Sequence, residues 1–321
     1  MHLADGLINT PVAATGYVVA GTACFGIVRG LGRQLEDQQA PLLGMTGAFI
    51  FAAQMLNFPV GPGVSGHFLG ALFATLLVGP ARAFLIMTLV VTMQCLLFAD
   101  GGLSALGVNT LNMGLVACFA GYGAFRFSAA FLPKNRTGFL TAAAFGAWCS
   151  VVAGGVACGT AMALSERLPW FAVAPLTGIQ AVIGLGEAGI TVGALAVVLN
   201  ARPDLVTAWN QETQSARPVR KRTAFLGAGT AALLCLVLLA PFASSAPDGL
   251  EHVAHNHAAP ADTPPQWAPL ADYAWPGQEG AYWGAFLPGL IGCVAMLAAV
   301  AIFTWCWKCG SNDGSAQEPR T

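Results

Sequence analysis

Long apolar runs broken by short polar turns set the rhythm of this chain. Read as segments of the length a bilayer requires, they fall at 11–29, 41–57, 66–80, 82–99, 103–127, 138–164 and 174–200. Two more, at 223–243 and 284–307, follow a polar stretch. The run at 66–80 is short and is expected to lie partly within the protein, shielded by its neighbours. The pattern predicts an all-α integral membrane protein of about nine transmembrane helices. Seven form a bundle in an N-terminal domain, 1–205, and two form a C-terminal unit, 223–308. A basic linker at 206–222 joins them, an outer loop at 244–283 separates the last two helices, and a tail occupies 309–321.

Composition agrees with the pattern. Of 321 residues, 56% are hydrophobic and only 9% charged, with mean hydropathy +0.65. Soluble domains carry roughly 25% charged residues, so this chain cannot wet a globular surface. A net charge of −1 argues against nucleic acid as a partner. The nine cysteines, mostly single and inside apolar runs, read as small packing residues rather than a disulfide framework. No G-x-x-x-x-G-K-[ST] occurs, so the chain has no P-loop ATP site.

The basic residues orient the bundle. One set of alternate loops and ends carries thirteen of the fourteen: Arg29, Arg33, Arg82, Arg126, Lys134, Arg136, Arg202, Arg217, Arg220, Lys221, Arg222, Lys308 and Arg320. The other set carries Arg167 alone. By the positive-inside rule, Met1, the 57–66 turn and the Asp100 turn lie outside, and the tail is cytoplasmic. No basic n-region precedes the first apolar run, so Met1 is expected to begin the mature protein, protected from removal by the bulky His2.

Candidate chemistry begins at that end. A free amine followed by histidine offers the Met1 amine, the His2 amide nitrogen and the His2 imidazole as a planar nitrogen set. Such a set suits Ni(II), Cu(II) and, less well, Co(II). As a bare dipeptide it reads more readily as a frayed terminus. The topology changes that, because it brings His67, in the Gly/Pro-rich turn after Asn57, to the same face as a fourth nitrogen. Asp5 and Asp100 are placed to orient an imidazole, or are solvated loop acids. Asn57, Asn109 and Asn112 are amides at membrane depth, there to hold the N-terminal segment beside His67 or to join helices. Glu187 lies mid-span with Gln180 two turns away, and a structural or conformational role is expected of it. Small-residue pairs at Gly26/Gly30, Gly66/Gly70, Gly155/Gly159 and Gly189/Gly193 permit close helix approach. In the outer loop, Pro247-Asp-Gly reads as a turn, and His252, His255 and His257 form a loose candidate for auxiliary metal capture. Cys306 and Cys309 are half of a zinc motif without its partner pair.

Four stretches carry a resemblance: Met1-His-Leu-Ala-Asp5-Gly6, Asn57-Phe-Pro-Val…Ser65-Gly-His67, Leu97-Phe-Ala-Asp100-Gly-Gly and Asn109-Thr-Leu-Asn112-Met-Gly114. Together they resemble the M-type substrate-capture component of nickel and cobalt energy-coupling-factor (ECF) transporters. The segment 223–308, with Pro247-Asp-Gly-Leu-Glu251 and Pro269-Leu-Ala-Asp272-Tyr273, looks like the small N-type unit fused to it. The resemblance implies a seven-helix capture bundle whose ion is held by the Met1 amine, the His2 amide and imidazole, and the His67 imidazole. It implies Ni2+ or Co2+ as transported substrate, nickel favoured by the Pro-Asp-Gly-Leu-Glu segment. It also implies a membrane coupling (T/Q) component and cytoplasmic ATPase (A/O) subunits as partners, in the inner membrane of a bacterial cell. An enzyme is not expected. The competing readings are a channel or secondary carrier working without an ATPase, and a membrane metalloenzyme.

Overall fold

The computed structural model describes residues 1–31, 40–209, 246–257, 268–275 and 282–312. Long helices dominate the described residues. Five segments are apolar and long enough to cross a bilayer: α1 (Thr10–Leu31), α4 (Pro80–Phe98), α7 (Arg136–Leu164), α8 (Trp170–Ala201) and the Phe286–Trp307 stretch of α10 (Tyr282–Asn312). Their outward faces carry Val18, Phe25, Leu164, Phe171, Val197 and Trp305, each more than half exposed. An apolar exterior over apolar helices is the surface a lipid solvent demands, and the chain is a multi-pass membrane protein. The expected helix at 223–243 lies outside the described residues.

The remaining N-terminal elements are shorter and sit among the spans. The second run forms α2 (Ala40–Gln54), which packs on α10 and α4. The short run at 66–80 is not a span: it is the end of an antiparallel hairpin, β1 (Asn57–Gly61) with β2 (Val64–His67), leading into α3 (Ala71–Val78). Gly63, at φ +71°, makes the turn between the strands. The fifth run, expected whole at 103–127, is broken into α5 (Leu106–Asn109), a π-helical segment at Thr110–Val116, and α6 (Ala117–Ala129).

Close backbone approach brings these elements together. The backbones of α6 and α7 meet so tightly that a Cβ on Gly146 would lie 2.8 Å from the Gly121 carbonyl oxygen. Of the small-residue pairs, Gly155 and Gly159 admit Gln180, Val173 and Leu176 of α8, whereas Gly26, Gly30, Gly189 and Gly193 meet nothing within 4 Å among the described residues. At the basic end, Arg136 donates to the Asn200 Oδ1 (2.6 Å) and the Ala196 carbonyl (3.0 Å), tying the start of α7 to the end of α8.

Candidate metal centre

An irregular backbone at membrane depth survives only where protein groups satisfy it. Glu187, fully buried in α8, does this for the segment after His67: its carboxylate accepts from the Leu69 amide at 2.7 Å and the Gly70 amide at 2.8 Å. Gln54 donates to the Leu69 carbonyl at 2.7 Å. The partner expected for Glu187, Gln180, is instead buried against Gly155 and Gly249. With its backbone anchored from both sides, the hairpin presents His67, 8% exposed, to the interior.

The N-terminal segment is folded back onto that residue. Leu3 is fully buried, and its amide and carbonyl pair with the Asn109 side chain, N–H to Oδ1 at 2.9 Å and Nδ2 to the carbonyl at 3.0 Å. The Leu3 carbonyl also accepts from the Gly102 amide at 2.7 Å. Met1 reaches inward until its amine lies 3.2 Å from His67 Nε2, and the His2 and His67 rings stack with centroids 5.3 Å apart and planes at 27°. His67 Nδ1 faces the Phe68 carbonyl at 3.3 Å. If that nitrogen carries the proton, Nε2 keeps its lone pair for the centre, the usual arrangement of a ligating histidine. Main-chain amine and two imidazoles thus converge on one place. Among the described residues, no group of three His, Cys, Asp or Glu side chains is placed to hold a metal ion, here or elsewhere, so the main-chain amine is essential to the set.

Three carboxylates surround the convergence, with different partners. Asp100 Oδ1 lies 3.0 Å from His2 Nδ1, and Gln94 Oε1 lies 3.0 Å from His2 Nε2, so both ring nitrogens are engaged. Asp248 Oδ2 accepts from the Met1 amine at 2.6 Å. Asp5 does not orient an imidazole: it accepts from the Leu103 amide (3.2 Å), the Ser104 amide (2.7 Å) and the Ser104 hydroxyl (2.5 Å), pinning the N-terminal turn to the loop before α5.

Burial and these partners set the charges. Burial opposes charge on the Met1 amine, but the Asp248 carboxylate outweighs it and raises the amine above its ordinary value. Burial likewise opposes ionisation of Asp248, yet the Met1 ammonium holds it well below the usual carboxylate range. Burial, the ammonium and His2 push His67 down to about 3. Burial also lowers His2, against the pull of Asp100. His67 therefore stands in the neutral form that binds metal.

Residues 2–205 match the family described as "Cobalt uptake substrate-specific transmembrane region", and residues 222–308 match the PDGLE domain. The chain belongs to the cobalt uptake substrate-specific transmembrane region family. It is 25% identical to the "Fused nickel transport protein NikMN" of Rhodobacter capsulatus, over 94% of this chain and 96% of that one. A relative in Archaeoglobus fulgidus whose name also carries NikMN is 32% identical over 93% of this chain and 96% of its own. The "Cobalt transport protein CbiM" of Geobacter sulfurreducens is 31% identical over 64% of this chain and 61% of its own. A crystal structure described as a transition metal transporter shares the fold, with TM-score 0.56 and 24% identity over 66% of this chain and 97% of that one. These are transport proteins, not enzymes.

Within this member of the cobalt uptake family, several expected residues fall elsewhere than anticipated. Asn57 pairs through the hairpin register with His67 itself. Asn112 does not hold the terminal segment: its Nδ2 is buried without a hydrogen-bond partner among the described residues. The physical reason is the π-helical winding between the two asparagines, which removes the three-residue stacking that an α-helix gives. His252, His255 and His257 lie on a short helix, α9 (Gly249–His257), and make no three-ligand cluster. His257 instead packs edge-on against Phe171, ring centroids 6.0 Å apart. Cys306 is exposed on α10, and the Cys309 side chain lies outside what is described.

Three contacting residues were not anticipated: Gln94, Asp248 and Tyr273. Gln94 had a signal, an amide in the middle of a span, which is a polar group in need of a reason. Asp248 was read as turn chemistry and as part of the Pro-Asp-Gly-Leu-Glu stretch that resembles the N-type unit, with no contact at the centre expected of it. Tyr273, whose hydroxyl donates to Asp100 Oδ2 at 2.6 Å while its ring stacks on Phe98, was named only within the Pro269–Tyr273 stretch of the N-type likeness, which pointed to no contact at the centre.

Proposed function

We propose that the protein captures a divalent transition-metal ion at the outer face of the membrane and delivers it inward as the substrate-binding component of an ATP-driven ECF importer. The observation that carries this reading is the convergence of the Met1 amine with His67 Nε2 at 3.2 Å, beside the stacked His2 ring. On this reading Met1, His2 and His67 are the metal ligands. Asp100, Gln94 and Asn109 hold them in place.

Ni2+ is the favoured substrate over Co2+. A planar nitrogen set suits nickel, and the NikMN relatives, which match both parts of this chain, are named for nickel. To bind, the ion takes the lone pairs of the amine, the deprotonated His2 amide and the His2 ring nitrogen nearest the backbone, Nδ1. That nitrogen turns from Asp100 as the chelate closes, and His67 Nε2 completes the plane. Capture releases protons.

The M-type capture domain is assigned to 1–205 and the N-type unit to 223–308, joined by the cytoplasmic linker 206–222. The N-terminus faces outward and the C-terminus lies in the cytoplasm of a bacterial cell bounded by its inner membrane. A membrane coupling component and cytoplasmic ATPase subunits supply the energy. A channel or carrier acting alone needs polar groups free to line a path at mid-membrane, and Glu187 is instead committed to two backbone amides. Uptake of radioactive nickel by cells expressing this chain, with and without ATPase and coupling subunits, separates the two. The importer reading predicts sustained accumulation only with active ATPase; equal accumulation without those subunits refutes it.

A further inference from the structure

The C-terminal unit does not merely sit beside the candidate centre. Its Pro247-Asp-Gly-Leu-Glu251 segment is built into it. Ser65, two residues before His67 and fully buried, donates from its amide to the Pro247 carbonyl at 2.9 Å and from its hydroxyl to the Ala246 carbonyl at 2.7 Å. Residues 65 and 248 form a parallel bridge, adding a short third edge to the hairpin. Gly249 lies so close to α8 that a Cβ there would be 2.6 Å from Ile179 Cγ2. Leu250 and Val253 are buried in the same apolar cluster as Leu3 and Ile8 of the N-terminal segment. The clamp leaves Asp248 little freedom. Its Oδ1 accepts from the Leu250 and Glu251 amides, both at 2.8 Å, which turns Oδ2 to the Met1 amine at 2.6 Å. A second group of the same loop, Tyr273, reaches Asp100, the carboxylate on His2.

We propose that Asp248 is a positioning residue of the metal centre: the C-terminal unit lends its carboxylate to hold the chain's terminal amine against His67, with Tyr273 supporting His2 through Asp100. This rests on the reading of Met1, His2 and His67 as ligands. A terminal segment with a free amine frays unless something holds it, and beyond Leu3, anchored by three backbone hydrogen bonds, the Met1 carbonyl takes only a long contact from the Cys158 thiol at 3.9 Å. Asp248 supplies the only ion pair that fixes the Met1 amine among the described residues. The same carboxylate also provides negative charge beside a place where a cation is to be buried. Removing one partner of a buried charge pair is far more disruptive than replacing both.

The test uses the full chain carrying Asp248→Asn, which keeps shape and removes charge. Two measurements are made: hydrogen exchange of residues 2–9 in chelator-treated protein, and equilibrium nickel binding. The proposal expects faster exchange confined to 2–9, largely restored by saturating nickel, and nickel affinity lowered about tenfold or more. Exchange at 2–9 equal to wild type overturns it, whatever happens to nickel. Should that variant fail to assemble, Tyr273→Phe removes only a hydroxyl. Lowered nickel affinity with faster exchange at His2 supports the proposal, and wild-type values overturn it. Wild-type protein that binds no nickel defeats the ligand reading instead, while the exchange comparison still decides the role of Asp248.

Discussion

Gly102 offers the sharpest steric probe of whether the N-terminal segment must lie where it does. A Cβ at this position would press into the Asp5 amide nitrogen and lie 2.7 Å from the Ala4 carbonyl carbon. These are backbone atoms, so no rotamer change relieves the clash. The segment has to lift, stretching the 2.7 Å bond from the Gly102 amide to the Leu3 carbonyl and drawing His2 with it. Gly102 does not have a positive φ, so Gly102→Ala acts by volume and not by backbone strain. Overpacking of this kind costs about 1–3 kcal/mol. At roughly 1.4 kcal/mol per tenfold, nickel affinity should fall between about 5-fold and 150-fold, with the helical fold intact. The assay is calorimetric titration of purified full-length protein with nickel, with Gly26→Ala as control because nothing lies within 4 Å of that site. If Gly102→Ala binds nickel within about twofold of wild type, the docked segment is not what holds the ion, and the reasoning fails.

Other predictions follow from the same contacts. Glu187→Gln leaves a single oxygen acceptor for the Leu69 and Gly70 amides and turns an NH2 toward the other. A loss of about 1–3 kcal/mol should appear as a lower thermal midpoint together with weaker nickel binding, and an unchanged midpoint would show that the carboxylate is not the anchor. The pH dependence of the chelator-treated protein is also fixed in sign. His67, at about 3, binds fewer protons folded than unfolded, so stability falls as pH drops below about 6.5. Asp248, held below its usual range, adds a further loss at still lower pH as its pair is protonated. The Met1 amine is raised, so its contribution is full below about 8 and is lost as pH climbs through the folded value. The thermal midpoint should therefore be highest between about pH 6.5 and 8, and a midpoint as high at about pH 4 as at 7 would contradict this.

Much of the fold was legible because span length and apolar character are properties of a segment by itself. α1, α4, α7 and α8 lie close to where the runs placed them. The failures fall where tertiary contacts overrule local pattern. The 66–80 run is apolar enough for a helix, yet its first residues are extended because Glu187 and Gln54, more than a hundred and about fifteen positions away, satisfy the backbone of Leu69 and Gly70. The 103–127 run has no local signal for a π-helical segment. At the centre, His2, His67 and Asp100 were nameable from residue type and side of the membrane. Asp248 and Tyr273 were not, since their contacts span |i−j| of 247 and 173.

The central claim is that the chain's own first amine is a ligand. Adding one alanine before Met1 converts that amine to an amide and displaces the charge paired with Asp248, while leaving every side chain in place. The decisive measurement is equilibrium nickel binding by this extended form, its N-terminus verified by mass spectrometry, against wild type and His67→Ala. The account predicts that the extended form and His67→Ala both lose high-affinity binding; an extended protein that binds nickel as tightly as wild type would contradict it.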